Sequence, residues 1–199
     1  MAVLVEHEKR RHEILSKSLD LFIEEGYEDV TFQKIADRCG ITRTTLYIYF
    51  KNKREIFIWS IKQFTSTIEK ELLAIITNQS LNAETALRNM MDKIIDECQK
   101  NTQLFKVFLT YLIQLQKSGG DPDERVKRRV IRVQHLLSTV IIRGIKNKEF
   151  KDQSVKEVNE ILYRLIESAI FEIAVLGKTN IEDSKQNIQF AIDAICINK

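Results

Sequence analysis

The chain contains almost nothing that would break a helix. One proline and six glycines are spread through 199 residues, and Ile, Leu, Lys, Glu and Gln fill the stretches between them. Apolar residues recur at helical spacing nearly end to end, and no alternating segment is long enough for a strand. The expected fold class is all-α, with about nine helices.

Start and stop signals place these helices. Ile14, Leu15, Ser18, Leu19 and Phe22 mark a first helix that Gly26 ends. Thr31 caps a short second helix stopping at Cys39-Gly40, and Thr42 caps a short third running to about Phe50. Asn52 with Glu55 resembles a capping box and opens a long fourth helix to about Thr77. Asn82 opens a fifth to about Lys100, and a sixth covers about 102–117 before Gly119-Gly120. Asp121-Pro122-Asp123-Glu124 supplies a cap, a first-turn proline and acids for a seventh, which reaches about Lys148 although Gly144 weakens its end. Ser154 and Asn180 start the last two, which end near Gly177 and Ile197. Two very short helices lie within residues 1–51 and longer ones within 52–199, so a small N-terminal domain and a larger C-terminal one are expected.

Composition narrows the function. No apolar run approaches the roughly 20 residues that span a bilayer, and Ala2 to Val5 is too short for a secretory signal. A soluble, cytoplasmic protein with no membrane partner is expected. The three cysteines are odd in number and far apart, which suggests neither a disulfide framework nor a metal site. His7 and His12 are five apart, a poor spacing for one helical face, and no phosphate loop, dinucleotide fingerprint or nucleophile elbow is present. The expectation is no catalytic residue, no metal, no cofactor and no enzyme. The net charge of +3 says little, but residues 31–54 hold six Lys/Arg against one acid. A polyanion would feel that window.

The window reads TFQKIADRCGITRTTLYIYFKNK, from Thr31 to Lys53. Two short helices meet at Cys39-Gly40-Ile41, where glycine can supply the positive φ of a helix-turn-helix. Ala36 is small where the helices approach. Ile35, Ile41, Leu46 and Phe50 are placed to pack onto Leu15, Leu19 and Phe22. Arg43, Thr44, Tyr47 and Ile48 are then left on the outer side. Arg can pair with guanine, and Thr offers a hydroxyl or methyl to base edges. Tyr47, Tyr49 and Thr42 carry hydroxyls suited to phosphate, and the helix starts at Thr31 and Thr42 present free N–H groups to the same oxygens. Thr45, Lys51 and Lys53 complete the set expected at DNA, with Arg54 beside them in a cationic rim.

Here the sequence resembles the tetracycline-repressor (TetR) family of bacterial one-component regulators, over about residues 10–57. The segments FIEEGYEDVTF, IADRCGI and TTLYIYFKNKREIF carry the resemblance. Thr45, Leu46, Tyr47, Phe50 and Lys53 fall on its Thr-Leu-Tyr, Phe and Lys positions. Thr44 stands where a small Gly, Ala or Pro is frequent, and Tyr49 where His is frequent. The resemblance implies a ligand-responsive regulator. A repressor is expected, bound as a homodimer to a near-palindromic operator on double-stranded DNA and released by a small, hydrophobic effector. An activator, or a helical adaptor with a vestigial helix-turn-helix, is the alternative.

It also implies an effector-binding and dimerisation domain in the rest of the chain. Leu162, Leu165, Ile170 and Ile173 on the eighth helix, with Ile188, Ile192 and Ile195 on the ninth, form a broad apolar surface suited to a four-helix dimer interface. Phe64, Phe105, Phe108, Tyr111, His135, Tyr163 and Glu167 are candidates for a mainly aromatic effector pocket.

Overall fold

The computed structural model describes residues 2–120 and 124–197, so the expected cap at Asp121-Pro122-Asp123 lies outside the described residues. Among the described residues the fold is all-α, with nine helices: α1 (Ala2–Glu25), α2 (Phe32–Cys39), α3 (Arg43–Tyr49), α4 (Lys53–Thr77), α5 (Ala83–Lys100), α6 (Thr102–Lys117), α7 (Glu124–Lys146), α8 (Val155–Ala174) and α9 (Glu182–Ile195). The chain divides into two compact units. One is Met1–Thr67 with Val107–Val126, the other Ile68–Lys106 with Lys127–Lys199.

In the first unit α1, α2 and α3 close over one small core. Ile14, Leu15, Leu21 and Phe22 of α1 are buried with Ile35, Ala36 and Cys39 of α2, Leu46 of α3, and Phe50. Leu19 and Ile41 are only half-buried. Gly26 ends α1 with φ 86°, and its N–H donates to the Phe22 carbonyl at 2.9 Å. At the start of α4, Asn52 Oδ1 accepts from the Glu55 N–H at 2.8 Å. The Glu55 carboxylate reaches one residue further back than a capping box requires and accepts from the Lys51 N–H at 2.7 Å.

In the second unit α5 lies against both α8 and α9, which also pack on each other. Leu87, Met90, Met91 and Ile95 of α5 are fully buried among Leu162, Ile166 and Ile173 of α8 and Ile188, Ile192 and Ile195 of α9. Leu162, Ile173, Ile188, Ile192 and Ile195 belong to this unit's own core, and Leu165 and Ile170 are half-buried against it. α5 covers this part of the stripe within the chain. The apolar side chains that α8 and α9 leave exposed are Ile161, Phe171 and Phe190, the last two 52% and 77% accessible.

Gly144 lies in the last turn of α7, which ends at Lys146, short of the expected Lys148. A Cβ there would meet the Phe150 ring at 2.1 Å, so the glycine lets the fully buried Phe150 lie directly on the helix backbone. The residues on either side of Phe150 pair with the end of α9: the Lys151 N–H donates to the Ile195 carbonyl at 2.8 Å and the Ile197 N–H to the Glu149 carbonyl at 2.9 Å. The N-cap of α9 is Ile181 rather than the expected Asn180, whose Oδ1 accepts from the Glu182 N–H at 3.0 Å.

Candidate nucleic-acid interface

The reading head is built from caps. Thr31 Oγ1 accepts from the Lys34 N–H at 3.1 Å and fixes the start of α2. Gly40 leaves α2 with φ 65° and ψ 36°, and the Ile41 N–H returns to the Ala36 carbonyl at 3.0 Å. That left-handed residue turns the chain into α3. Thr42 Oγ1 then accepts from the Thr45 N–H at 3.0 Å and lies 2.8 Å from the Thr45 hydroxyl. A helix of seven residues is marginal on its own, so this cap and the buried Leu46 hold α3 in place.

Its outer face carries the side chains expected at DNA. Arg43, Thr44, Tyr47 and Ile48 are exposed, Tyr47 at 51% and Ile48 at 69%. An isoleucine that open to water suits contact with thymine methyl groups. Arg43 Nη2 donates to the Tyr47 hydroxyl at 3.2 Å, and its guanidinium stands 5.7 Å from the Tyr47 ring centre. Phe32 supports Tyr47 from behind, with ring centres 4.5 Å apart. Tyr49 is half-buried and stacks on His7 of α1 at 4.6 Å. Lys51 is exposed.

Lys53 is held rather than free to sweep the surface. Its ammonium donates to the Tyr27 carbonyl at 2.8 Å and the Glu28 carbonyl at 3.1 Å, and lies 4.4 Å from the Tyr27 ring centre. Burial holds it below the usual lysine range, against the opposing pull of Glu28 and Asp29. Two of three ammonium protons are thus committed inside the protein.

The pocket candidates fall in different units. Phe64, Phe108 and Tyr111 lie in the first, and Phe105, His135, Tyr163 and Glu167 in the second. Tyr111 is 3% exposed and packs edge-on against Tyr27 and Phe57, at 4.7 Å and 4.9 Å between ring centres. It is buried in the first unit. Phe105 and Tyr163 pack against the second unit's core, and burial followed by the Glu167 charge pushes the Tyr163 hydroxyl up to about 12. His135 and Glu167 are exposed.

Two features of the head escape sequence reading. The Arg11 guanidinium lies 5.1 Å from the Phe50 ring centre and 4.5 Å from that of Trp59, tying α1 to α4. Tyr27, in the turn after α1, joins Phe22, Phe57 and Tyr111 in one aromatic cluster. Only its place in the GYEDVTF segment hinted at a role.

A helix-turn-helix with a capped, polar, partly cationic outer helix is the form of a DNA-reading head. Residues 14–58 match the family model described as bacterial regulatory proteins, tetR family. The chain is 35% identical over 65 residues to the HTH-type transcriptional regulator HbdR of Aromatoleum sp. (strain CIB), a match covering 33% of this chain but only 28% of that relative. It is 22% identical over 163 residues to the fatty acid metabolism regulator protein of Bacillus subtilis (strain 168), covering 79% of this chain and 80% of the relative. Among solved structures, a TetR transcription regulator from Haloarcula marismortui ATCC 43049 superposes with a TM-score of 0.84 at 22% identity, over 96% of this chain and 100% of that one. The regulator FadR from Bacillus subtilis, in complex with stearoyl-CoA, superposes with a TM-score of 0.72 at 18% identity, over 90% and 96%. These relatives are regulators rather than enzymes, and no helix among the described residues is long and apolar enough to cross a membrane.

Proposed function

We propose that the protein is a cytoplasmic DNA-binding transcriptional regulator. It holds a near-palindromic operator as a homodimer, represses by covering a promoter, and is released by a long-chain fatty acyl thioester. Residues 1–51 read the DNA, and residues 52–199 bind the effector and the second subunit. The observation that carries the reading is the outer face of α3, where Arg43, Thr44, Tyr47 and Ile48 stand exposed on a helix fixed by Thr42 and Leu46. Side chains that can hydrogen-bond base edges are useful there only against a groove. Thr31, Thr45, Tyr49, Lys51 and Lys53 serve the phosphates around it.

The effector class is supported by the alignment to the Bacillus subtilis fatty acid regulator. It extends over 79% of the chain, far beyond residues 14–58. A stearoyl-CoA-bound regulator of the same fold supports the same class. A hydrophobic tail also suits an α-helical unit whose interior is Leu, Ile and Met. Phe105 and Tyr163, half-buried at that core, are the aromatic residues assigned to the tail, with His135 and Glu167 nearer solvent. The second subunit is assigned to the outward side of α8 and α9, around Ile161, Phe171 and Phe190.

The test is release. DNA selected from a random-sequence pool on the purified protein is titrated with palmitoyl-CoA, with free coenzyme A and palmitate as controls. Tenfold release needs about 1.4 kcal/mol of differential affinity between the two conformations. Release by the thioester alone supports the reading. DNA binding that is indifferent to it removes this effector class, and no salt-sensitive DNA binding at all favours a helical adaptor.

A further inference from the structure

Tyr111 comes from α6, outside the helix-turn-helix segment, yet it lies in the same compact unit and touches the head twice. Its hydroxyl accepts from Arg54 Nε at 3.1 Å. Its ring packs edge-on against Tyr27, whose carbonyl takes the Lys53 ammonium and whose ring lies under that same cation. The two cations that open α4 are therefore both referred to one α6 side chain. Arg54 is bonded to it directly, and Lys53 is reached through Tyr27.

A guanidinium donates in a rigid planar fork, so a bond at Nε fixes the plane in which its two amino groups lie. Lys53 has no such fork, but two carbonyl acceptors leave its ammonium a single direction for a third bond. Tyr111 is almost completely buried, and Phe57 closes on it from α4 at 4.9 Å. It has no freedom to follow the cations; they follow it. Burial, with the Tyr111 and Glu28 neighbours, pushes the Tyr27 hydroxyl up to about 12, as expected of a phenol inside such a cluster.

We infer that Tyr111 is a positioning residue for the DNA-binding surface: it holds Arg54 and, through Tyr27, Lys53 at the places from which they meet phosphate. The inference rests on the DNA-binding reading above, and its test separates the two.

The variants are Tyr111→Phe, which keeps the ring and removes the acceptor, Arg54→Ala, and the two combined, all in the full-length protein. DNA selected from a random pool on the parent protein is the probe, and affinity is measured across a salt series. Arg54→Ala is expected to lower the salt slope by roughly one unit. Tyr111→Phe is expected to weaken binding by about three- to tenfold on selected and random DNA alike, the size of one charge-assisted hydrogen bond misplaced. In the Arg54→Ala background the same change is expected to do nothing further, because its partner is gone. A thermal midpoint close to the parent's confirms that Tyr111→Phe is folded. If the parent binds no DNA, the functional reading fails. If the parent binds and Tyr111→Phe leaves affinity unchanged, or its effect adds fully to that of Arg54→Ala, Tyr111 is only packing and this inference is overturned.

Discussion

The turn at Gly40 gives a stability prediction that can be worked from its torsions alone. With φ 65° and ψ 36° the residue sits in the left-handed region, and a Cβ built there meets nothing within 4 Å. Gly40→Ala therefore creates no clash, and its whole cost is torsional. An L-residue pays roughly 1–2 kcal/mol in that region. Against this, alanine restricts the unfolded chain and recovers about 0.4–1 kcal/mol. The net loss is about 1 kcal/mol, which lowers a thermal midpoint by roughly 2–4 °C for a chain of this size. Gly40→Asn should lose less, because its short amide tolerates the left-handed region. The assay is urea unfolding followed by fluorescence of the single tryptophan, Trp59, which lies in the same unit as the turn. A Gly40→Ala protein as stable as the parent, or a Gly40→Asn protein less stable than Gly40→Ala, would refute the torsional argument.

Three further outcomes follow from the packing. Gly144→Ala gains up to about 1 kcal/mol of helix propensity but drives a methyl into the Phe150 ring, and overpacking of this kind costs roughly 1–3 kcal/mol; with the contact at 2.1 Å, a net loss in calorimetry is expected, and a gain would mean that Phe150 moves aside freely. Phe171→Asp combined with Phe190→Asp should give a folded monomer by sedimentation while Ile192→Asp should not fold, because the first two are exposed and the last is fully buried; a dimer that survives the double change removes these residues from the interface. Stability should also fall in alkali. Burial raises Tyr27 and Tyr163 from 10.0 to about 12 and Cys98 from 9.0 to about 12. Groups raised on folding stabilise fully below their unfolded values and lose that contribution as pH climbs through the folded ones, so unfolding free energy should decline from about pH 9 to 12 and stay flat if these groups are solvated instead.

Local chemistry was what the sequence made legible. Thr31, Thr42, Asn82 and Ser154 each accept the N–H that their position implied, because a cap involves only a few consecutive residues. The outward set of α3 was readable for the same reason: once Leu46 is assigned inward, the period of the helix sends Arg43, Thr44, Tyr47 and Ile48 to the other side. Facts that depend on a distant partner were not readable. The apolar stripe of α8 and α9 looks the same whether α5 or a second subunit covers it, and only the packed chain shows α5 there. Gly144 reads as a weak point near the end of α7, but the Phe150 ring lying on it comes from the packing alone. Nothing in the segment around Tyr111 points to its bond with Arg54, 57 positions earlier.

On the proposed reading, the outer face of α3 reads base pairs while the rim around it holds phosphate. The measurement that tests it most directly is the affinity of Arg43→Ala for selected and random DNA across a range of salt concentrations, beside the parent protein. Arg43→Ala should lose about 1–3 kcal/mol on the selected sequence and much less on random DNA, and the parent affinity should fall steeply with salt. Equal losses on both DNAs would reassign Arg43 to the backbone, and no loss on either would contradict the reading of α3 as the helix that enters the groove.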